Sequence, residues 1–316
     1  MNKKQYIEKL FKNKPIMLAP MAGYTDIGFR YLCKKYGADV VFTEMINVSA
    51  LCYKNKKTFD MLQFLSAEKP IAVQLFGNDP EKFKKAVGLI SDYDFDIIDI
   101  NMGCPAPKIV KNKEGSYLLE DIDLAEKIIK AVVSATDKPV SVKFRLGVDD
   151  DYIVALEFAK MCEKAGASFI SVHCRTRVQG YSGKADWSWI EKIKEVVKIP
   201  VVANGDCLTV DDYKALIYLG ADGVMVGRGA VGNPVIFKEI KLGQNIELSL
   251  SEKIAEIEEH AKILLEHFSI NFVSATMKKH ILQYLKKTNL SVSAKLAVAE
   301  FDNVLDMINY LKQCEN

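Results

Sequence analysis

Several side chains of this 316-residue sequence are of kinds that do chemistry, and they stand where packing alone rarely puts them. In Asp99-Ile100-Asn101-Met102-Gly103-Cys104-Pro105-Ala106-Pro107, a thiol lies just past an apolar run, in a loop stiffened by two prolines. A structural cysteine normally sits inside an apolar run, as Cys162 nearly does. With an ordinary pKa near ~8.5 such a thiol is mostly protonated at neutral pH and can serve as a general acid. A nucleophilic role would need a partner that promotes the thiolate. Lys143 and Arg145 alternate in Val142-Lys143-Phe144-Arg145, which puts both on one face of a strand. A lysine there is a salt-bridged structural cation, a Schiff-base amine, or a cation that stabilises negative charge on a bound ring. His173 ends another apolar run, ahead of Cys174-Arg175-Thr176-Arg177. His260, His267 and His280 fall in the C-terminal quarter and read as surface or packing residues.

The segments around these residues suit a flat, phosphorylated ligand. Ala19-Pro20-Met21-Ala22-Gly23 is small enough for close backbone approach, although a simple turn explains it equally well. Gln74, inside Val73-Gln74-Leu75-Phe76, must find polar partners. These are either core groups or the edge of a heterocycle. Asn204-Gly205-Asp206 and Gly227-Arg228-Gly229-Ala230-Val231-Gly232 have the look of phosphate loops. The second matches G-x-G-x-x-G, but no further strand with an acid about 20 residues on follows it, so a dinucleotide fold is rejected.

These residues must be positioned by strands that alternate with helices. Candidate strands are 16–19, 39–43, 71–76, 97–100, 140–144, 169–173, 201–203 and 223–226, mostly continuous apolar runs as in buried parallel sheets. Helical patterns at 26–36, 80–91, 121–134, 152–165, 187–197 and 210–219 separate them. Because polar motifs follow most of the strands, chemistry is spread around one rim, and the fold class expected is an α/β (β/α)8 TIM barrel. The pattern changes after about Leu242, so the division expected is a barrel domain at 1–243 and a C-terminal all-helical domain at 244–316, with helices at 252–267, 271–287 and 293–312. On the middle helix Val273, Met277, Ile281, Tyr284 and Leu285 share one face, and Lys279, Gln283 and Lys286 the other. That second face is either solvated or contacts phosphate.

Composition narrows the classes. Lys+Arg number 43 against Asp+Glu 41, so bulk electrostatic capture of nucleic acid is excluded while a local basic patch is not. No run approaches the ~18 apolar residues of a membrane span. Seven cysteines without C-x-x-C spacing read as reduced thiols of a cytoplasmic protein, and a lone barrel histidine gives no metal site.

Taken together, the motifs resemble the tRNA-dihydrouridine synthase family over nearly the whole chain. They are Ala19–Asp26, Val73–Gly77, Asp99–Pro105, Lys143 with Arg145-Leu146-Gly147, His173–Arg177, Ser182–Trp187, Ala203–Asp206 and Gly227-Arg228. The resemblance implies an FMN-dependent oxidoreductase that reduces the C5=C6 bond of uridines in tRNA, with NADPH as reductant, no metal, and a monomeric state. It implies FMN binding by Met21, Ala22, Gly23, Gln74, Lys143, His173, Asn204, Gly205, Asp206, Gly227 and Arg228. Cys104 would protonate C5, with Lys143 and His173 assisting. Asn101, Arg145, Arg175, Arg177, Lys184, Lys279 and Lys286 would face substrate and RNA. The chain departs from the family at Lys278-Lys279-His280, where Arg-Lys-His is common, and lysine there keeps charge but not bidentate geometry. The alternatives are a flavin barrel acting on free pyrimidines, a Schiff-base aldolase using Lys143, and a non-catalytic RNA-binding protein.

Overall fold

A computed structural model describes residues 2–314. Eight strands carry the architecture: β1 (Ile16–Leu18), β2 (Val41–Asn47), β3 (Ile71–Phe76), β4 (Ile97–Met102), β5 (Val140–Arg145), β6 (Phe169–His173), β7 (Val201–Asn204) and β8 (Gly223–Val226). All neighbours are parallel, in the order β1-β8-β7-β6-β5-β4-β3-β2. A parallel bridge from Met17 to Val40, with Leu18 N–H donating to the Val40 carbonyl at 2.9 Å, joins β1 to the β2 side and rounds the sheet into a barrel. The expected TIM barrel is the fold observed.

Strand periodicity sorts the interior into layers. The floor is apolar: Met17, Phe42, Ala72, Ile97, Phe169, Val202 and Met225 form one buried cluster. Helix Lys3–Phe11 closes it from below, capped by an Asn2–Gln5 box, with the Phe11 ring 5.2 Å from that of Phe169. Two residues up each strand the same face turns polar: Gln74, Asp99 and Asn101, Ser141 and Lys143, Ser171 and His173, then Asn204. Chemistry is thus confined to the C-terminal mouth. The opposite strand faces, Val73, Leu75, Ile98, Ile100, Val142 and Phe144 among them, pack on the surrounding helices in the largest core cluster.

Helices Leu250–His267, Ile270–Tyr284, Val292–Glu300 and Val304–Gln313 follow the barrel. Their core, including Ile257, Leu264, Met277, Ile281 and Ile308, also takes in Ile27 and Leu32 from barrel helix Ile27–Lys35. At its edge Asp26, the N-cap of that barrel helix, meets His260 Nε2 at 2.8 Å and His280 Nε2 at 3.0 Å. Both histidines are buried, so this is a packing joint between barrel and tail. Two expectations need correction. The helix expected at 293–312 is broken at Phe301, where Asn303 caps a new helix. The lysine face of Ile270–Tyr284 is not uniformly solvated. A Cβ on Gly232 would strike the Gln283 backbone at 2.4 Å, so that stretch lies against the barrel. No helix among the described residues is long and apolar enough to cross a membrane.

Candidate active site

Cys104 is held by its backbone from two sides. Asn101 Oδ1 accepts from the N–H groups of Gly103 (3.1 Å) and Cys104 (2.9 Å), turning the chain sharply after β4. The Cys104 carbonyl accepts from Ser116 N–H at 3.0 Å and from the Ser116 hydroxyl at 2.9 Å. Gly115 adopts φ +62° beside it, where a Cβ would lie 2.9 Å from the Cys104 carbonyl oxygen, so glycine is required. Burial raises the thiol pKa, against the Ala106 N–H and the cations Arg145 and Lys143, so the sulfur keeps its proton. That is the state of an acid.

Beneath the turn runs a buried polar chain. Ser141 Oγ and Gln74 Nε2 each donate to Asp99 at 2.6 Å, and Asn101 Nδ2 donates to Gln74 Oε1 at 2.8 Å. Burial pushes the Asp99 carboxyl up to about 7, with Ser141, Gln74 and Lys143 opposing. Gln74, expected at a heterocycle edge, is 1% exposed and has both amide atoms bonded within this chain. Its amide serves the Cys104 turn through Asn101.

Lys143, Asn204 and His173 stand together at the mouth. Lys143 Nζ donates to Asn204 Oδ1 at 2.9 Å, and Asn204 Nδ2 donates to the Met225 carbonyl at 2.8 Å. Burial, with Arg145 nearby, lowers the Lys143 pKa to about 8. His173 is driven well below its ordinary pKa by burial and by Lys143, Arg145, Arg175 and Arg228, which leaves it neutral. A cleft of about 490 Å3 opens among Pro20, Met21, Lys143, His173, Gly205 and Arg228. Gly205, at φ +114°, brings its backbone so close that a Cβ would sit 3.0 Å from His173 Cδ2. Among the described residues, no acceptor meets the N–H groups of Gly205, Gly227, Arg228 or Gly229. Unpaired N–H groups in successive turn residues make an anion-binding concavity.

The expected RNA-facing cations divide. Arg145 and Arg175 are 2% and 1% exposed, and their donors go to loop carbonyls, so they build the rim and do not face solvent. Arg175 and Arg228 share the Asp206 carboxylate, at 2.5 and 2.9 Å. Arg177 pairs with Glu120, while Lys184 and Lys286 are exposed. Lys279 leaves the tail and lies over the Tyr24 ring, 5.3 Å from its centroid, within 3.0 Å of where a Gly23 Cβ would be. Met21, Ala22 and Gly23 precede Tyr24, and the Gly23 N–H donates to the Glu44 carboxylate.

Sequence reasoning misses Asp99, Ser116, Glu44 and Tyr181 as site residues. Asp99 opens the most distinctive motif of the chain, and a carboxylate in an apolar strand run is the signal for it. Glu44 lies past a register shift between Phe42 and Met45, which no sequence pattern announces.

The dihydrouridine synthase (Dus) family model matches residues 17–315. A probable tRNA-dihydrouridine synthase of Aquifex aeolicus is 36% identical over 310 residues, covering 96% of this chain and 97% of that protein. The tRNA-dihydrouridine synthase B of Pasteurella multocida is 37% identical over 281 residues, covering 87% and 84%. Among solved structures, morphinone reductase in complex with tetrahydroNAD aligns with a TM-score of 0.54 at 13% identity, over 74% of this chain and 88% of that one. That likeness is one of fold.

Proposed function

The chain belongs to the dihydrouridine synthase family, and from that premise we propose that it reduces the C5=C6 bond of uridines in tRNA, using FMN and NADPH. The observation that carries the reading is Cys104: a protonated thiol, fixed from both sides of its backbone, at the same barrel mouth as Lys143 and His173.

The residues present suit a flavin mononucleotide. The unpaired N–H groups of Gly205, Gly227, Arg228 and Gly229, with the Arg228 guanidinium, would hold its phosphate. Met21, Ala22 and Gly23 would bound the ring, with Lys143, His173 and Asn204 beside it, and Gln74 would support the site through Asn101. Bound flavin supplies hydride transfer, from a nicotinamide reductant to uracil C6. Cys104 holds the proton destined for C5, and burial prevents its loss to water at neutral pH. Lys143, oriented by Asn204 Oδ1, stabilises negative charge on a bound ring. Neutral His173 offers hydrogen bonding there without adding to the four cations around it.

On this reading residues 1–243 form the catalytic barrel, and residues 244–316 present Lys279 and Lys286 to RNA. Lys184 and Arg177 add charge at the rim. Extruding a stacked uridine costs a few kcal/mol, which phosphate contacts offset. The protein acts as a cytoplasmic monomer. The test is direct: incubate the purified yellow protein with NADPH and unmodified tRNA, then assay dihydrouridine. A colourless protein, or turnover of free uracil without RNA, would overturn the reading.

A further inference from the structure

Residues 176–183, after β6, form turns whose carbonyls are bound by three guanidiniums. Arg145 Nη1 donates to Thr176 O at 2.9 Å and to Gly180 O at 2.8 Å. Arg175 donates to Ser182 O at 3.0 Å and Gly183 O at 2.7 Å, and Arg228 reaches Tyr181 O at 3.3 Å. The backbone on both sides of Tyr181 is therefore tied to the buried cations Arg145 and Arg175, yet the Tyr181 residue itself is 60% exposed. Its ring lines the cleft beside Lys143 and Asn204. The Arg145 and Arg228 guanidinium carbons lie 5.5 and 5.2 Å from its centroid, and the His173 ring lies 6.2 Å away.

An aromatic face left in water on an anchored backbone is pre-organised for a flat partner, since little freedom remains to be lost on binding. The Arg228 side chain is 50% exposed, so the site offers a stacking face and a phosphate-binding cation side by side. A nucleotide combines the same two features in its base and its phosphate. We propose that Tyr181 is a stacking platform for a nucleobase of the RNA substrate at the mouth of the cleft. This rests on the tRNA reading above. A uridine drawn out of folded RNA loses its own stacking and that of its neighbours, and the platform restores part of it. Tyr181 then sets affinity for RNA and takes no part in flavin reduction.

The experiment compares wild type with Tyr181→Phe, Tyr181→Leu and Tyr181→Ala. Four quantities are read: flavin content, the rate of flavin reduction by NADPH without RNA, tRNA affinity by fluorescence anisotropy, and dihydrouridine formation. Tyr181→Phe should keep tRNA affinity within about twofold, because the face is retained. Tyr181→Leu and Tyr181→Ala should each lose it by on the order of tenfold, with flavin content and flavin reduction unchanged. Wild-type affinity in Tyr181→Leu would overturn the proposal, since any apolar filler would then suffice. Slower flavin reduction with unchanged tRNA affinity would assign the ring to the reductant, and lost flavin would assign it to cofactor retention. Failure of the wild type to form dihydrouridine in tRNA would instead sink the functional reading itself.

Discussion

Gln74 donates a 2.6 Å hydrogen bond to Asp99, its register partner on the neighbouring strand, and that bond is the base of the support under Cys104. The other amide atom of Gln74 accepts from Asn101, whose own oxygen holds the Cys104 N–H. A carboxylate in the barrel interior is thereby coupled to the position of a thiol at its mouth. Coupled buried networks of this kind are rigid when complete and costly when one member is changed.

Asp99→Asn places an amide NH2 group against one of two donors, Ser141 Oγ or Gln74 Nε2. The expected cost is about 1–3 kcal/mol of stability, the penalty of an unsatisfied buried polar group. Turnover should fall by roughly 10–100-fold through displacement of Cys104. Because burial raises the Asp99 pKa to about 7, its contribution to stability is full below the unfolded carboxyl pKa of ~3.9 and is lost as pH rises through 7. The variant's deficit in thermal melts should therefore be largest near pH 4–5 and shrink toward neutrality. Unchanged turnover would disconnect Asp99 from the thiol.

Cys104→Ala should retain flavin and be reduced by NADPH at the wild-type rate, yet lose dihydrouridine formation by about 10²–10⁴-fold, the usual worth of a general acid. Burial raises the thiol pKa, and the acid form is the active one, so the wild-type rate should decline only on the alkaline side. Single-turnover oxidation of reduced enzyme by tRNA, followed across pH, checks both. An alanine variant as fast as wild type would remove the sulfur from the reaction.

The barrel was legible because parallel strands buried on both faces leave apolar runs that no other element produces. Strand ends were less so. β4, β5 and β7 extend to Met102, Arg145 and Asn204, past the expected limits at 100, 144 and 203. The extra residues break the apolar run because they belong to the site. Cys104, Lys143, His173 and the glycine loops converge as their strand positions implied. The partners of Gln74, Arg145 and Arg175 were not legible, since a polar residue on a strand signals only that it needs partners. Lys3–Phe11 carried a capping signal at Asn2 and Gln5 but stands outside the strand–helix alternation. His260 and His280 acquire their role from Asp26, more than 230 residues away in the chain.

The joint made by Asp26, His260 and His280 should loosen in acid. Burial works against the Asp26 carboxylate, but the two histidines outweigh it and hold its pKa well below the ordinary value. Burial lowers the His280 pKa, so the unfolded chain, titrating near ~6.5, takes up that proton first. Stability tied to His280 is present above ~6.5 and falls as pH drops below it; the Asp26 contribution persists below ~4 and is lost only as pH falls through its lowered pKa. Melting temperature should decline between pH 7 and 5. Asp26→Asn, which also weakens the cap on Phe29 N–H, should cost about 1–2 kcal/mol at pH 7. A flat profile over that range would show that the histidine buried here does not resist protonation.

Lys279 and Lys286 share a helix but not an environment, and salt dependence separates them. Lys286 is exposed, so Lys286→Glu should weaken tRNA binding and reduce the slope of log affinity against log salt by about 0.7–0.9, one phosphate's worth. Lys279 already lies over Tyr24 and near the Glu44 carboxylate, whose ionised form it favours. Binding a phosphate would require it to leave that ring, at a cost of about 0.5–1 kcal/mol for a partly exposed cation–π contact. Lys279→Glu should therefore change the slope no more than Lys286→Glu does, while also disturbing the Gly23–Tyr24 loop and lowering flavin retention. Anisotropy titrations at several salt concentrations, paired with flavin content, separate the two effects. If Lys279→Glu changes the slope by a full phosphate and leaves flavin untouched, its ammonium belongs to the RNA and its seat on Tyr24 has no part in the site.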